Sequence, residues 1–508
     1  FTMSSDVEPD PDFEIDLSSP IRRDGVDFSR FKSVSVDEGD LPSLKEKNLN
    51  DGDPVTDWRA ITWCAVVFFF IATITNGLNN AAYLYLNEKV DKTVSPVYSG
   101  LHIAATKTGH AAGVVLFAVY AYSQKCFKKP LLIGRAISFV AFGLYLAIKL
   151  FPLEWRRYVF LLAFFCQCFA EGSVVVINSY IPRASSRADR QAAYGIMTAA
   201  VMLSMLSGPL ISLIATRLPA WTPLEWLEFN RYTYCTYAAL IAGIVATVAI
   251  CTQLKETESL GGTAEDSFSI KMATALTELR SMDKVALSFI FFERITASVV
   301  LSAMLAAFPP YLQTTLNMDH KATMSILSAG QGAAGIVSMA AVAAIIFTPL
   351  RRVRSSCVLF FALACYFIIY LYSYPWKWTG LSQPIVVMND TTPNGCNVAQ
   401  LDWCAHQWQV KTWWWIPPVV FLFGLAVPMG MISIDTTFSK MVGNIDQNLM
   451  QGAMELTNDI ASSIAPVITM KIFTDYGPAT FWLVLAGVAM VGFLSWLPMI
   501  PKMRRLKM

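Results

Sequence analysis

Lys107, His110, Glu171, Glu293 and Arg294 each interrupt an apolar run of about twenty residues, the length that spans a bilayer. Hydrocarbon penalises ionisable side chains, so those found inside a spanning segment mark a solute, ion or proton pathway, or else a buried ion-pair network that fixes helix register. Each lies roughly a third to two thirds of the way along its run, the depth at which carriers hold their cargo. Lys107, Glu171, Glu293 and Arg294 supply both signs of charge, and are expected to neutralise one another. Glu293 and Arg294 are adjacent, so their side chains leave a helix about 100° apart. One is expected to face a cavity and the other a neighbouring helix. Lys107 and Arg294 would attract an anion, and Glu293 or Glu171 would carry a proton.

Amides and carboxylates extend the set. Asn76 and Asn80 share a helical face and either line the pathway or hydrogen-bond to a neighbouring helix. Glu455 and Asp459 are also one turn apart. They are expected close to the cytosolic end, as gating contacts or solvated carboxylates rather than as a central site.

The elements that must position these groups follow from hydropathy. The chain has 508 residues, 55% of them hydrophobic and only 15% charged, against about 25% charged in a soluble domain. Mean hydropathy is +0.46. The chain is therefore read as an integral membrane protein. Apolar runs fall near 59–86, 97–122, 131–151, 157–180, 192–217 and 232–253, then near 284–311, 322–347, 357–374, 412–437, 449–473 and 479–500. Residues 254–283 form the long polar break between the two sets, read as a cytosolic linker. The expectation is an all-α membrane protein with twelve transmembrane helices in two six-helix halves, 58–253 and 284–508, a plan found in transporters. Gly208-Pro209 and Pro309-Pro310 are expected to kink or end their helices.

Orientation follows from basic loops. Lys125, Lys128, Lys129 and Arg135, then Arg183, Arg187 and Arg190, then Arg351, Arg352 and Arg354, and finally Lys502, Arg504, Arg505 and Lys507 fall on one side if the spans alternate. That side is expected to be cytosolic, with both termini. Arg156 and Arg157 are exceptions on the other side. The opposite face carries a long loop, 373–411, with a glycosylation sequon at Asn389 and with Cys396 and Cys404. This loop is expected in the lumen or outside the cell, where glycans and disulfides form. The alternative is an unused Asn389 and free thiols. Residues 1–57 are rich in Asp, Glu, Ser and Pro, and are read as a disordered acidic cytosolic tail with an unknown partner. Phe1 is not an initiator, so the chain starts at Met3 or the sequence is a fragment.

Composition and motifs exclude other classes. A net charge of +2 gives no footprint for nucleic acid. There is no CxxC pair and no HExxH, and the histidines are scattered, so neither a metal nor another cofactor is expected. No nucleophile–base constellation points to an enzyme.

Several stretches resemble a known family. They are Ser179-Tyr180-Ile181, Ala184-Ser185 and Asp189-Arg190, then Gly208-Pro209, Phe292-Glu293, Gly395-Cys396, Gln400 and Trp403-Cys404. Ser439-Lys440, Gly443, Gln447, Gly452, Pro466 and Tyr476-Gly477-Pro478 continue the match. The chain resembles the major facilitator superfamily and, within it, the lysosomal group of ceroid-lipofuscinosis neuronal protein type 7. The superfamily's Gly and Asp between the second and third spans are replaced by Val119 and Ser123. Its arginines of the fourth and eleventh spans are replaced by Phe164 and Ser462. Lys107, Glu171 and Arg294 look like additions. The resemblance implies a glycosylated lysosomal or endosomal membrane protein with chloride conductance or another anion-linked activity. It also implies Cys396 and Cys404 as a pair, and carries over Glu293 at membrane depth.

The leading reading is alternating-access transport of a small solute or ion, with an anion expected and Glu293 as carrier if protons are coupled. The alternatives are a chloride or anion channel on the same scaffold, and a non-transporting sensor or scaffold. Besides the bilayer, the expected partners are the solute (chloride among the candidates) and protons. The plasma membrane is the alternative location.

Overall fold

The computed structural model describes residues 56–124, 126–185, 190–224, 227–254, 283–347, 353–388, 396–442, 447–499 and 501. The acidic tail and the 255–282 linker lie outside them. The first half holds α1 (Trp58–Tyr85), α2 (Val97–Gln124), α3 (Lys128–Leu146), α4 (Leu153–Glu171), α5 (Val175–Ala184), α6 (Arg190–Ala215) and α7 (Thr233–Thr252). The second holds α8 (Lys284–Pro310), α9 (His320–Phe347), α10 (Ser355–Ser373), α11 (Thr412–Val442) and α12 (Gln447–Trp496). Ten helices are long and apolar enough to cross a membrane among the described residues, and a shorter apolar helix covers Ala199–Ala215. Two small hairpins complete the fold: β1 (Trp221–Leu224) with β2 (Leu227–Phe229), and β3 (Ser382–Pro384) with β4 (Trp408–Val410).

Local chemistry sets the boundaries. The Asp57 carboxylate accepts from Ala60 N at 3.0 Å and starts α1. Asp283 does the same for α8, accepting from Val285 N and Ala286 N. The run expected over 157–180 is broken by a 3₁₀ turn at Gly172–Val174, which separates α4 from α5. Pro209 stays inside α6. Pro309 and Pro310 do not stop α8 either, which continues as a π-turn over Tyr311–Thr315. An equivalent π-turn, Leu86–Val90, closes α1. α12 holds the two runs expected over 449–473 and 479–500, joined at Gly477 with φ +83° and ψ 176°, a conformation essentially reserved for glycine.

Glycine lets helices touch. A Cβ on Gly113 of α2 would lie 2.2 Å from Phe169 O of α4, and one on Gly109 would lie 2.4 Å from Phe165 O. The halves meet where α2 packs on α12 and α6 on α9. At that seam a Cβ on Gly100 would lie 2.5 Å from Pro466 O, and one on Gly335 would lie 2.8 Å from Leu206 Cδ2.

The end of the bundle that carries residues 374–411 is sealed. There, one buried apolar cluster includes both halves, from Tyr85, Tyr145 and Tyr232 to Tyr311, Trp415 and Trp482. At the opposite end the described core separates. Ile61, Phe127, Leu131 and Ile250 pack within the first half, and Ile290, Phe438, Met454 and Trp496 within the second. Polar contacts reinforce the seal across the halves: Ser99 Oγ donates to Ala306 O at 2.6 Å, and Asn87 Nδ2 to Gln313 Oε1 at 3.4 Å. His320 Nδ1 lies 3.9 Å from Glu88 Oε2, and Glu88 also accepts from Tyr232 OH.

The described parts of the loop, 374–388 and 396–411, are fastened to the bundle. Cys396 and Cys404 form a disulfide. Next to it, Trp403 Nε1 donates to Thr474 O at 3.0 Å and Gln407 Nε2 to Tyr476 O at 2.6 Å, which fastens the loop beside the Gly477 bend. Asn389 lies outside the described residues.

The basic exceptions at this end are engaged. Arg156 donates to Phe151 O and Lys149 O, and Arg157 pairs with Asp91 at 2.9 Å. Burial opposes ionisation of Asp91, but hydrogen bonds from Thr93 and the nearby Arg157 and Arg156 outweigh it and hold its carboxyl below the usual range. A depressed carboxyl contributes stability above its unfolded pKa of about 3.9, and that contribution disappears as pH falls through the folded value. Asp91→Asn should therefore lower Tm by a near-constant amount well above about pH 4, and the gap should narrow progressively as pH falls below it. Melting of both proteins in detergent from pH 3 to 7 checks this; a gap that is undiminished at the acid end would contradict it.

Candidate functional site

Asp459 is the hub of the polar groups at membrane depth. It sits on α12 with its side chain 1% exposed. Its Oδ2 lies 2.6 Å from His110 Nδ1, and its Oδ1 lies 3.3 Å from Lys107 Nζ. Lys107 and His110 are on α2, so one carboxylate of the second half binds two bases of the first. Asn458 Nδ2 adds a contact to Oδ1 at 3.4 Å. Asn458 is itself held by Ser298 Oγ at 2.8 Å.

A second cluster lies one turn away. Arg294 of α8 is 3% exposed and takes Glu455 Oε2 at 2.7 Å and Asp435 Oδ1 of α11 at 3.7 Å. Asn458 Nδ2 reaches Glu455 Oε1 at 3.4 Å and so connects the two clusters. Glu171 closes α4 and accepts from Thr75 Oγ1 of α1 at 2.8 Å. Glu293 does not join the others. It is fully buried, its Oε1 accepts from Ser495 Oγ at 2.7 Å, and its Oε2 faces Gly492 without a hydrogen-bond partner.

Several expectations change here. Lys107, Glu171, Glu293 and Arg294 do not neutralise one another. Lys107 pairs with Asp459, Arg294 with Glu455 and Asp435, and the two glutamates accept hydroxyl hydrogen bonds. Asp459 is not a solvated residue of the helix end but the buried bridge between the halves. Arg135, counted above among the loop cations, lies inside α3 with 1% exposure. Its Nη2 donates to Ala170 O at 3.4 Å, and its Nε and Nη1 have no hydrogen-bond partner among the described residues. The side chains of Asn76 and Asn80 lie outside the described residues.

Asp435, Asn458 and Arg135 join the set of site residues. Asp435 and Arg135 carried a readable signal, since both are charged residues within apolar runs, as Lys107 is. Asn458 carried none beyond its place beside Asp459. Among the described residues no group of three His, Cys, Asp or Glu side chains can hold a metal ion. The arrangement can bind a polar solute, hold charge at membrane depth, and exchange a proton across the His110–Asp459 contact. Separating α2 from α12 would break that contact.

The Major Facilitator Superfamily model matches residues 61–389, more than half of the chain. The chain belongs to the Major Facilitator Superfamily. It is similar to the superfamily's domain-containing protein 8 of Xenopus laevis, with 22% identity over 497 residues, 90% of this chain and 96% of that protein. Solved superfamily structures share the fold at low identity. The nucleoside transporter NupG superposes with a TM-score of 0.59 at 14% identity, covering 87% of this chain and 99% of that one. A peptide transporter, POT, in complex with sulfate gives 0.63 at 12% identity, covering 91% and 99%. A D-xylose-proton symporter gives 0.59 at 13% identity, covering 86% and 96%. The protein is thus an integral membrane protein with a superfamily transporter fold, embedded in a lipid bilayer.

Proposed function

We propose that the protein carries a small solute across its membrane by alternating access, with protons coupled through the Lys107–His110–Asp459 bridge. The observation that carries this reading is the Asp459 carboxylate, buried at membrane depth and shared by bases of the opposite half. Movement of the halves and the charge state of these groups are then linked, because parting α2 from α12 separates the ions. The conformer described here is closed at the loop end and opens toward the other. Glu293, buried against the last span, is assigned to packing rather than to proton carriage.

Nine of the ten long helices, the helix holding Ala199–Ala215 and the two arms of the tenth, α12, make up twelve spans, with α4 and α5 together forming one. Both termini are assigned to the cytosol. The 374–411 loop is assigned to the lumen of an endosome or lysosome, a setting that suits its disulfide. Asn389 would be the glycosylated residue of that loop.

Reconstitution into liposomes tests this. A screen of small solutes under an imposed pH gradient should find a substrate whose uptake saturates, depends on the gradient and is stimulated by the same solute on the far side. An ion current with neither saturation nor exchange stimulation would instead identify a channel. The sealed core at the loop end argues against that outcome.

A further inference from the structure

The arginines at membrane depth are more buried than the carboxylates that reach Arg294. Both guanidiniums are buried, Arg135 in the first half and Arg294 in the second. The carboxylates set against Arg294 are not. Glu455 and Asp435 have side chains 43% and 49% exposed while both engage Arg294. Glu455 is one helical turn from Asp459, on the face of α12 that meets α2 at Lys107. Its free surface therefore opens toward the space between the halves. Glu171 is half-buried beside Thr75, whose hydroxyl it accepts from.

Lys107 is the permanent cation of this group that keeps appreciable exposure, and Asp459 already engages it. A carboxylate that engages a buried guanidinium still has lone pairs left over for a second donor. An anion entering this space would have to displace a carboxylate from a buried arginine. A cation would meet carboxylate oxygens with lone pairs to spare.

We infer that the solute presents a cationic nitrogen, of the ammonium or guanidinium class, to Glu455, Asp435 and Glu171. This rests on the carrier reading above and reverses the anion preference expected from Lys107 and Arg294 considered alone. Those two cations are already matched within the protein.

The local potential can be read without knowing the solute. Ala111 lies one turn from Lys107 on the face of α2 that carries the site. The full chain is prepared with Cys166, Cys251 and Cys357 replaced by alanine and with Ala111→Cys, and is reconstituted in lipid. Its labelling rates with a trimethylammonium and a sulfonate methanethiosulfonate reagent are compared with their rates on glutathione. The cation-to-anion ratio should exceed the glutathione ratio by about tenfold, the lower end of what charged clefts achieve. It should fall several-fold with Glu455→Gln and, with no further substitution, on raising salt. A ratio at or below that of glutathione overturns the cation assignment and leaves the carrier reading standing. Failure of both reagents to label removes the open space, and the carrier reading with it.

Discussion

Asp459→Asn is expected to reduce transport by roughly 10- to 150-fold, the equivalent of losing about 1.5–3 kcal/mol of charge-assisted hydrogen bonding. The substitution keeps the shape of the side chain but removes the charge that Lys107 and His110 share. Two bases of the first half then face a neutral amide, and the link between protonation and movement of the halves is lost. Solute-for-solute exchange should survive better than uptake driven by a pH gradient, because exchange needs no net proton movement. Stability should suffer less than in Asp459→Ala, which leaves a void as well as an unpaired base. Adding Lys107→Met should recover stability without restoring transport, a non-additive result expected of residues in direct contact. Gradient-driven uptake at the parent rate in Asp459→Asn would remove the bridge from the mechanism.

Gly100→Val should shift the conformational equilibrium rather than weaken a contact. Even the first carbon of a side chain at this position would lie 2.5 Å from Pro466 O and 3.1 Å from Met470 Cβ. Backbone cannot yield as a flexible side chain does, so α2 and α12 must part at the loop end. Overpacking of this kind costs about 1–3 kcal/mol. Because the strain falls on the conformer closed at the loop end, the ratio of the two conformers should move by about 5- to 150-fold toward the one open there, at 1.4 kcal/mol per tenfold. The readout is reactivity of a thiol placed near Asn87 toward a membrane-impermeant reagent added on the loop side. It should rise in Gly100→Val, while a drop in melting temperature with unchanged reactivity would mean simple destabilisation. A valine at Gly143, where nothing lies within 4 Å of the added carbon, is the control and should leave both readouts near the parent.

Much of this architecture is legible in the sequence because bilayer thickness imposes its own length on the chain. The runs near 97–122 and 232–253 appear as α2 and α7 with small changes of boundary. The Gly477-Pro478 pair separates two runs and proves to be a bend where the chain never leaves helix for long. Depth is legible too, though it has to be calculated. Asp459 lies about 15 Å along its run at 1.5 Å per residue, near the middle of a 30 Å hydrocarbon core. Arg135 is about 10 Å into α3 by the same count. What periodicity does not encode is helix rotation and the identity of the facing helix. Nothing in the segment around Lys107 tells it to choose Asp459, 352 residues away, over Glu171 or Glu293. Glu293 illustrates the same gap. Its depth suggests a pathway, while its contacts with Ser495 and Gly492 place it against the last span.

In alternating access the two halves rock about the Asp459 bridge, so that one end closes as the other opens. Paired spin-label distances in lipid nanodiscs test it most directly. One pair joins Leu153 and Trp378 at the loop end, and the other joins Arg59 and Lys284 at the opposite end; all four are exposed. As pH is varied, with and without the solute found in the screen, the account predicts two populations at each end whose proportions change in opposite directions. In Gly100→Val the population with the longer Leu153–Trp378 distance should dominate. A single unchanging distance at both ends, under conditions in which the same preparation supports flux, would contradict alternating access.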